Sequence, residues 1–406
     1  MATKRKNSPL NGLLANGSMD IPFFLLLIVI VSVGLVMLFS ASYTYSYYNR
    51  DGDSTYIFRR QIIFTVLGLI GMYAVSRIRY EYFKVFAVIG VVVSIGLLLL
   101  VLVLPEYKPG FKRWINLGFT TFQPSEIAKI GLILILAFLL DKDYKGITGK
   151  IPSKSSIAKT IYDFTDGRLV LYKSFTSVIA YGALIIVFAG LVYLENHLSG
   201  TVLMLAIGFV MLFLGEVKYK WFIAAGGVVL IAVIVLIANP SILQDYMGER
   251  ITAWLDKDFD PTGVRWQTNN SLYAIGSGGF LGTGLGQSKQ KHLYVSEPQN
   301  DFIFAIVCEE LGFVGAATII VLFALLVYRG IYIGLRAKDR FGGLLSMGIA
   351  FQIGIQVALN IAVVSDLIPN TGISLPFFSA GGTSIFILLC EMGMLLSISR
   401  SMRKKG

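Results

Sequence analysis

The chain has 406 residues, of which 55% are hydrophobic and only 15% are charged, against about 25% charged in ordinary soluble domains. Its apolar residues form long blocks, and a helix of about 20 such residues spans the hydrocarbon core of a bilayer. This composition excludes a set of soluble domains and predicts an all-α, polytopic integral membrane protein with about ten transmembrane helices. The net charge of +11 does not indicate nucleic-acid binding, because the basic residues lie in short loops between apolar blocks.

The polar, basic residues 1–20 are expected to form a disordered cytoplasmic tail. One transmembrane domain, residues 21–398, follows, and a second basic cytoplasmic tail occupies 399–406. With ten spans, about two thirds of the Lys and Arg residues fall in cytoplasmic segments, so the positive-inside rule predicts both termini in the cytoplasm. The helices are expected at 21–43, 57–76, 84–104, 125–140, 176–194, 200–215, 221–238, 302–328, 343–364 and 384–398.

Two connections between these helices are long. Residues 141–175 are basic and cytoplasmic, and form either a solvated loop held near anionic lipid or a surface for partner proteins. Residues 239–300 form a large extracytoplasmic loop between the seventh and eighth helices, a length that is typical of functional loops. Its glycine-rich part, 274–286, matches neither GxGxxG nor GxxxxGK[ST]. Tight turns in a re-entrant loop are therefore favoured over a phosphate cradle.

Charged residues within or beside the spans are candidates for function, because each is costly in lipid and should face the protein interior. Glu126 and Lys129 lie three residues apart on one helix face. They form either a helix cap with an internal ion pair or a substrate site. At most one of Glu309 and Glu310 can face a cavity, since they point in different directions. Glu126, Lys129, Glu309 and Glu391 together also fit a polar translocation path, as in a flippase.

Asp301 lies where the long loop enters the eighth helix. One interpretation is a helix N-cap, for which aspartate is well suited. The other is a general base for a lipid-linked substrate, because partial desolvation at the membrane surface raises the basicity of a carboxylate. The residues alone leave these interpretations even. The sequence contains neither HExxH nor CxxC, and its two histidines and two cysteines are isolated, so no dedicated zinc site is expected.

Four groups of motifs together resemble the SEDS family of bacterial shape, elongation, division and sporulation proteins, which includes FtsW, RodA and SpoVE. They are residues 112–118 (KRWINLG) with 123–126 (QPSE), 274–286 (AIGSGGFLGTGLG), 300–305 (NDFIFA) with 309–312 (EELG), and 375–384 (LPFFSAGGTS). The resemblance covers about residues 20–400. Residues 298–302 and 370–374 look most like FtsW. This implies a role in cell division, with RodA-like elongation as the alternative.

The resemblance implies a peptidoglycan glycosyltransferase that polymerises lipid II at the outer face of the bacterial cytoplasmic membrane. It implies a class B penicillin-binding protein and other divisome membrane proteins as partners. A divalent cation, Mg²⁺ or Mn²⁺, is compatible with this chemistry. The family's essential aspartate falls on Asp301, which then acts as general base. The expected substrate-binding residues are Lys112, Arg113, Glu126, Lys129, Arg250, Lys289, Glu297 and Ser379. Among these, Arg113, Lys129 and Arg250 are suited to neutralise the pyrophosphate.

Two departures from the family pattern affect these expectations. Many relatives have Leu-Pro-Glu before the aspartate, whereas this chain has VSE at 295–297, so the loop before Asp301 lacks the rigid proline of the family. Relatives usually have Ser-Tyr-Gly-Gly late in the chain, whereas residues 379–382 here are SAGG. An aromatic contact with substrate at that position is therefore not expected.

Overall fold

The protein is described by a computed structural model covering residues 13–15, 17–105, 112–118, 120–148, 173–239 and 245–402. In chain order its helices are α1 (Ile21–Asn49), α2 (Tyr56–Arg77), α3 (Phe83–Val103), α4 (Pro124–Lys142), α5 (Tyr144–Thr148), α6 (Lys173–Leu194), α7 (Leu198–Leu214), α8 (Tyr219–Ala238), α9 (Asp245–Leu255), α10 (Trp266–Gly278), α11 (Ile303–Leu335), α12 (Arg340–Val364) and α13 (Gly382–Arg400). A 3-10 turn, Tyr80–Tyr82, precedes α3. Two short antiparallel strands, β1 (Ile115–Asn116) and β2 (Thr121–Phe122), lie before α4.

The predicted all-α, polytopic class is confirmed, and each of the ten predicted helices is present. Within the described residues, seven helices are long and apolar enough to cross a membrane; these are α1, α2, α3 with its preceding turn, α6 from Phe175, α11, α12 and α13. Helix α7 is apolar but shorter, with 17 residues. Residues 149–172 lie outside the described residues. They make up most of the 141–175 connection, for which a partner surface was one of the two expectations.

Close helix packing in the bundle depends on small residues. A Cβ added to Gly68 of α2 would lie 2.6 Å from a Leu389 methyl carbon of α13, and one added to Gly393 would lie 2.5 Å from the Met72 carbonyl oxygen. Small residues allow helix backbones to approach in a membrane, where lipid removes the usual hydrophobic drive for association. These contacts hold α13 against α2, and they place the start of α13 beside the cavity described below.

The long 239–300 connection contains α9 and α10, which the sequence analysis did not predict. Both helices are anchored to the end of α12 and to the segment that follows it. The Trp254 indole donates to the Asp366 carbonyl oxygen at 3.1 Å, and the Arg265 guanidinium pairs with the Asp366 carboxylate at 2.6 Å. Ser271 of α10 donates to the Val364 carbonyl oxygen at 2.7 Å. The connection is thus folded against the bundle through buried polar contacts.

The glycine-rich segment packs against a break in α11. Gly312 has φ 65° and ψ −168°, so the helical hydrogen-bond ladder is interrupted there. The Glu309 and Glu310 carbonyl oxygens accept from the Thr283 and Gly284 amides at 2.9 and 3.0 Å. Because these two amides already donate to helix carbonyl oxygens, they are not directed at a phosphate. The contacts favour the prediction of tight turns for this segment, and not that of a phosphate cradle.

Part of the N-terminal tail is folded. The Ala15 amide donates to the Arg77 carbonyl oxygen at 2.7 Å, at the end of α2. Asp20 caps α1 through the Phe23 amide and receives two hydrogen bonds from Arg329, each at 2.9 Å. The expectation of a disordered tail over 1–20 is therefore wrong for residues 13–15 and 17–20, whereas 1–12 lie outside the described residues.

Candidate functional site

A cavity of about 660 Å³ opens among the starts of α4, α7, α11 and α13. Its lining includes most of the predicted site residues, drawn from segments far apart in sequence: Arg113, Glu126, Lys129, Arg250, Glu297, Asp301 and Ser379. Lys112 and Lys289 are not in this lining. The Lys112 ammonium donates to the Leu102 carbonyl oxygen at 3.4 Å, and the Lys289 side chain is exposed. The structure therefore gathers one carboxylate-rich and cation-rich site from seven of the nine predicted residues.

Asp301 lies immediately before the start of α11, whose N-cap position is occupied by Phe302. Its backbone is fixed by Asn360, whose buried amide donates to the Asp301 carbonyl oxygen at 2.7 Å and to the Ile373 carbonyl oxygen at 2.6 Å. Gly372 has φ +71°, and a Cβ added there would lie 3.1 Å from the Asp301 carboxylate. The carboxylate thus lies at the cavity wall, against a backbone position that favours glycine.

Ser379 connects the last loop to the segment that holds Asp301. Its hydroxyl donates to the Asn300 carbonyl oxygen at 2.8 Å and accepts from the Leu375 amide at 2.8 Å. The Ala380 amide donates to the Gln299 carbonyl oxygen at 2.8 Å. Ser379 therefore positions the approach to Asp301 while also lining the cavity.

Glu126 and Lys129 form the internal ion pair, and they line the cavity as well. The Lys129 ammonium lies 3.0 Å from the Glu126 carboxylate and donates to the Gln356 side-chain oxygen at 3.2 Å. Ser384 donates to Glu126 at 3.1 Å. Both side chains are less than 10% exposed, so the charge of Lys129 acts in a poorly screened environment. The pair can therefore be an internal ion pair and also part of a substrate site.

The remaining cationic groups reach the cavity from loops. Arg250 of α9 donates to the Asn370 carbonyl oxygen at 2.7 Å. Arg113, just before β1, donates to the Asn196 carbonyl oxygen in the α6–α7 connection. Together with Lys129 they place three cations from three segments at one cavity. This arrangement can hold a strongly anionic ligand such as a pyrophosphate.

Glu309, Glu310 and Glu391 are outside the cavity lining. The Lys291 ammonium lies 2.8 Å from Glu310, and the Lys289 amide donates to Glu309 at 2.8 Å. Gln352 donates to Glu391 at 3.0 Å. Each of the three carboxylates therefore has a polar partner on another segment of the fold.

His197 is isolated in the sequence, yet it lines the cavity. The Gln123 amide nitrogen lies 3.3 Å from His197 Nδ1. Burial, reinforced by the positive charges of Arg113 and Lys129, holds the pKa of His197 well below its usual range. The ring keeps some accessible surface because it faces the cavity, yet it is surrounded by protein, so charging it remains unfavourable. Arg50 and Arg60 are further lining residues that the sequence analysis missed.

Glu195, two residues before His197, is completely buried. Neither of its carboxylate oxygens has a hydrogen-bond partner within the described residues. Burial raises the pKa of the Glu195 carboxyl to about 9, against an opposing effect of Arg113. Glu195 is therefore protonated at neutral pH and adds no negative charge beside Arg113.

The cell cycle protein family of FtsW, RodA and SpoVE matches residues 20–404, from the start of α1 to beyond the end of α13. The chain belongs to this SEDS family. Stage V sporulation protein E of Bacillus subtilis (strain 168) is 36% identical over 407 residues, which cover 99% of this chain and 100% of that protein. The probable peptidoglycan glycosyltransferase FtsW of Trichlorobacter lovleyi is 34% identical over 386 residues, which cover 95% of this chain and 94% of that protein.

Solved structures share the SEDS fold seen here. One is a chain from a structure that describes how a peptidoglycan synthase complex coordinates polymerization and crosslinking. It superposes on this chain with a TM-score of 0.71 and 27% sequence identity. It covers 94% of this chain, and 98% of its own length is matched. The rod shape determining protein RodA of Thermus thermophilus gives a TM-score of 0.64 at 25% identity, over 95% of this chain and 98% of RodA. The polytopic helical architecture is therefore that of SEDS proteins.

The donor groups of this SEDS cavity do not form a dedicated metal site among the described residues, where no group of three or more His, Cys, Asp or Glu side chains is suitably placed. Glu126 is paired with Lys129, and Glu297 accepts from the Asn300 amide at 2.6 Å.

Proposed function

We propose that this protein is a peptidoglycan glycosyltransferase that polymerises lipid II into glycan strands. The observation that carries the proposal is the position of Asp301 at the wall of a cavity that also contains Arg113, Lys129 and Arg250. A carboxylate base and a cluster of cations are the two elements needed to transfer a sugar from a pyrophosphate-linked donor. The similarity to the probable peptidoglycan glycosyltransferase FtsW of Trichlorobacter lovleyi supports the same activity.

In the proposed reaction, Asp301 removes the proton from the 4-hydroxyl of the acceptor sugar. The oxygen attacks the anomeric carbon of the donor, and the bond from that carbon to the pyrophosphate oxygen breaks. The pyrophosphate leaves with the bonding electrons, and attack from the opposite face converts the α-linked donor into a β-linkage. Arg113, Lys129 and Arg250 stabilise the charge that develops on the leaving group.

The proposal places the cavity at the outer face of the bacterial cytoplasmic membrane, with both termini in the cytoplasm. A lipid-linked donor would then enter with its head group at the depth of Asp301. We further propose a class B penicillin-binding protein as the cross-linking partner, alongside other divisome membrane proteins. The structural match to a chain of a peptidoglycan synthase complex supports such a partner. A pyrophosphate-bound Mg²⁺ or Mn²⁺ is part of the proposal, and Asp301 and Glu297 are the lining carboxylates able to contact it.

The test is glycan-strand synthesis from purified, labelled lipid II, with and without the cognate class B penicillin-binding protein and with and without Mg²⁺. Wild type should form long strands, whereas Asp301→Asn should retain about 1% of the rate or less. Asp258→Asn is the matched control, because Asp258 is an exposed aspartate in the same connection and lies outside the cavity lining. Polymerisation by Asp301→Asn at the wild-type rate would refute the assignment of the base.

The chief alternative is a lipid II flippase, which the buried Lys129 at the cavity wall favours. It predicts transfer of lipid II between leaflets of reconstituted vesicles, with Lys129→Met more damaging than Asp301→Asn. Strand synthesis without such transfer would exclude it.

The division role is tested by depletion in the host. Cells that elongate without dividing support an FtsW-like role, and cells that lose their rod shape assign the protein to elongation.

A further inference from the structure

His197 is held by two neighbours on one edge of its ring. The Gln123 side-chain nitrogen lies 3.3 Å from Nδ1. A Cβ added to Gly200 would lie 2.5 Å from Nδ1 and 2.8 Å from Cε1, so glycine allows the ring to pack against the first turn of α7. The orientation of the ring is therefore fixed by contacts on its Nδ1 side.

This contact determines where the imidazole proton lies. An amide NH₂ group donates hydrogen bonds, so Nδ1 accepts from Gln123 and the proton of the neutral ring is on Nε2. Nε2 has no hydrogen-bond partner within the described residues, and His197 lines the cavity. The ring thus offers an N–H donor to whatever occupies the cavity.

The surroundings of His197 favour an anion. Arg113 and Lys129 are both near enough to lower the pKa of the ring, and both line the same cavity. Glu195, buried in the α6–α7 connection, is protonated and so adds no negative charge beside Arg113. A neutral donor beside two cations suits a multiply charged oxyanion, which can accept several hydrogen bonds at once.

We propose that His197 binds the pyrophosphate of the lipid-linked substrate through Nε2–H, completing an anion site formed with Arg113 and Lys129. The inference rests on the proposed function for the identity of the lipid, but the recognised chemistry is the pyrophosphate itself. As the sugar departs, negative charge increases on the pyrophosphate oxygens, and the hydrogen bond from His197 strengthens with it. The ring needs no change in protonation for this role.

Binding of farnesyl pyrophosphate and of inorganic pyrophosphate to the purified full-length protein tests the proposal. His197→Leu should bind farnesyl pyrophosphate at least tenfold more weakly, about 1.4 kcal/mol. His197→Gln should recover much of the affinity, because its amide retains a donor near the position of Nε2. If His197→Leu weakens binding of inorganic pyrophosphate but not of farnesyl pyrophosphate, His197 does not recognise the lipid-linked substrate.

The second histidine provides the matched control. His292 is exposed, lies outside the cavity lining and contacts Thr44 at 3.1 Å, so His292→Gln should bind as wild type. This variant also leaves a single histidine for ¹⁵N NMR. Its spectrum should show Nε2 protonated and Nδ1 unprotonated, with the Nε2 signal shifted by farnesyl pyrophosphate. An unshifted signal at saturating ligand overturns the proposal even if His197→Leu fails to fold.

Failure of the proposed function is distinguished by Asp301→Asn. This variant should lose strand synthesis, whereas its binding of farnesyl pyrophosphate without Mg²⁺ should still weaken when His197→Leu is added. If wild type makes no glycan yet its farnesyl pyrophosphate binding depends on His197, the polymerase proposal fails and the pyrophosphate site stands. If wild type polymerises and His197→Leu binds farnesyl pyrophosphate as wild type does, the inference about His197 fails alone.

Discussion

The Lys291 ammonium lies 2.8 Å from the Glu310 carboxylate, and the two side chains are 6% and 0% exposed. Ser40 of α1 joins them, accepting from Lys291 at 3.0 Å and donating to Glu310 at 2.7 Å. The pair therefore connects the segment before Asp301 to α11 and to α1. A buried pair of this kind does not by itself add stability, but loss of one partner leaves a buried charge without compensation.

Lys291→Met is predicted to lower the free energy of unfolding by about 3–5 kcal/mol, because Glu310 then stays buried without its cation. Thermal unfolding in detergent measures this loss. The neighbouring, exposed Lys289 provides the control, since Lys289→Met should leave the melting temperature unchanged within about a degree. The double variant Lys291→Met with Glu310→Gln should recover much of the loss. Equal melting temperatures for Lys291→Met and wild type would contradict this account.

Gly312→Ala is predicted to destabilise the break in α11. The position has φ +65°, and an added Cβ would lie 2.2 Å from the Gly282 amide nitrogen, so both strain and a backbone clash result. We expect a loss of about 2 kcal/mol or more, with lower yields of folded protein by size-exclusion chromatography. Gly276→Ala is the comparison, because a Cβ there has nothing within 4 Å. Similar yields and melting temperatures for the two variants would exclude strain at Gly312.

Glu195→Gln is predicted to be more stable than wild type at high pH. The native carboxyl has a pKa of about 9, above its usual value of 4.5, so the native state binds more protons than the unfolded state between these values. Wild-type stability contributed by this group is therefore greatest below pH 4.5 and falls as pH rises, by up to about 1.4 kcal/mol per pH unit.

Melting temperatures of Glu195→Gln and wild type should agree at pH 5 more closely than at pH 8, where the variant should melt several degrees higher. The comparison isolates Glu195, because the other titrating groups, including the adjacent Arg113 and His197, are the same in both proteins. A difference in melting temperature that is constant from pH 5 to pH 8 would show that Glu195 is ionised in the native protein.

Lys129→Met is predicted to slow strand synthesis by about 10²-fold, since one cation at the leaving group is removed. The change also leaves Glu126 buried without its partner, so a second variant separates catalysis from folding. Glu126→Gln with Lys129→Met should restore the melting temperature but not the rate. Lys112→Met is the control, because Lys112 lies outside the cavity lining. Recovery of the rate by the double variant would assign Lys129 a structural role.

Much of the fold is predictable from local sequence. The apolar blocks identify the ten helices, because a span must satisfy its backbone internally within a fixed thickness of lipid. Helices α9 and α10 were missed, since they are short and partly polar and depend on contacts with Asp366 and Val364, more than 90 residues away. Helix boundaries also extend beyond the apolar blocks, as α1 does to Asn49.

Site residues are predictable from sequence in two cases: where a charged residue lies within an apolar span, and where a motif resembles that of a known family. Glu126, Lys129 and Asp301 were found in these ways, and the structure brings them to one cavity. His197 and Lys291 were not identified. Neither lies in a recognisable motif, and their partners Gln123 and Glu310 are 74 and 19 residues away. A single sequence contains no signal for such pairs, because each depends on which helices pack together.

Asp20 contacts Arg329 and Ser399, which follow it in the chain by 309 and 379 residues. During synthesis the first helix therefore enters the membrane long before its two binding partners exist. A nascent chain that ends before Arg329 holds the Asp20 carboxylate without its guanidinium. The contacts that close this end of the bundle therefore form only after α13, the last helix, has been made.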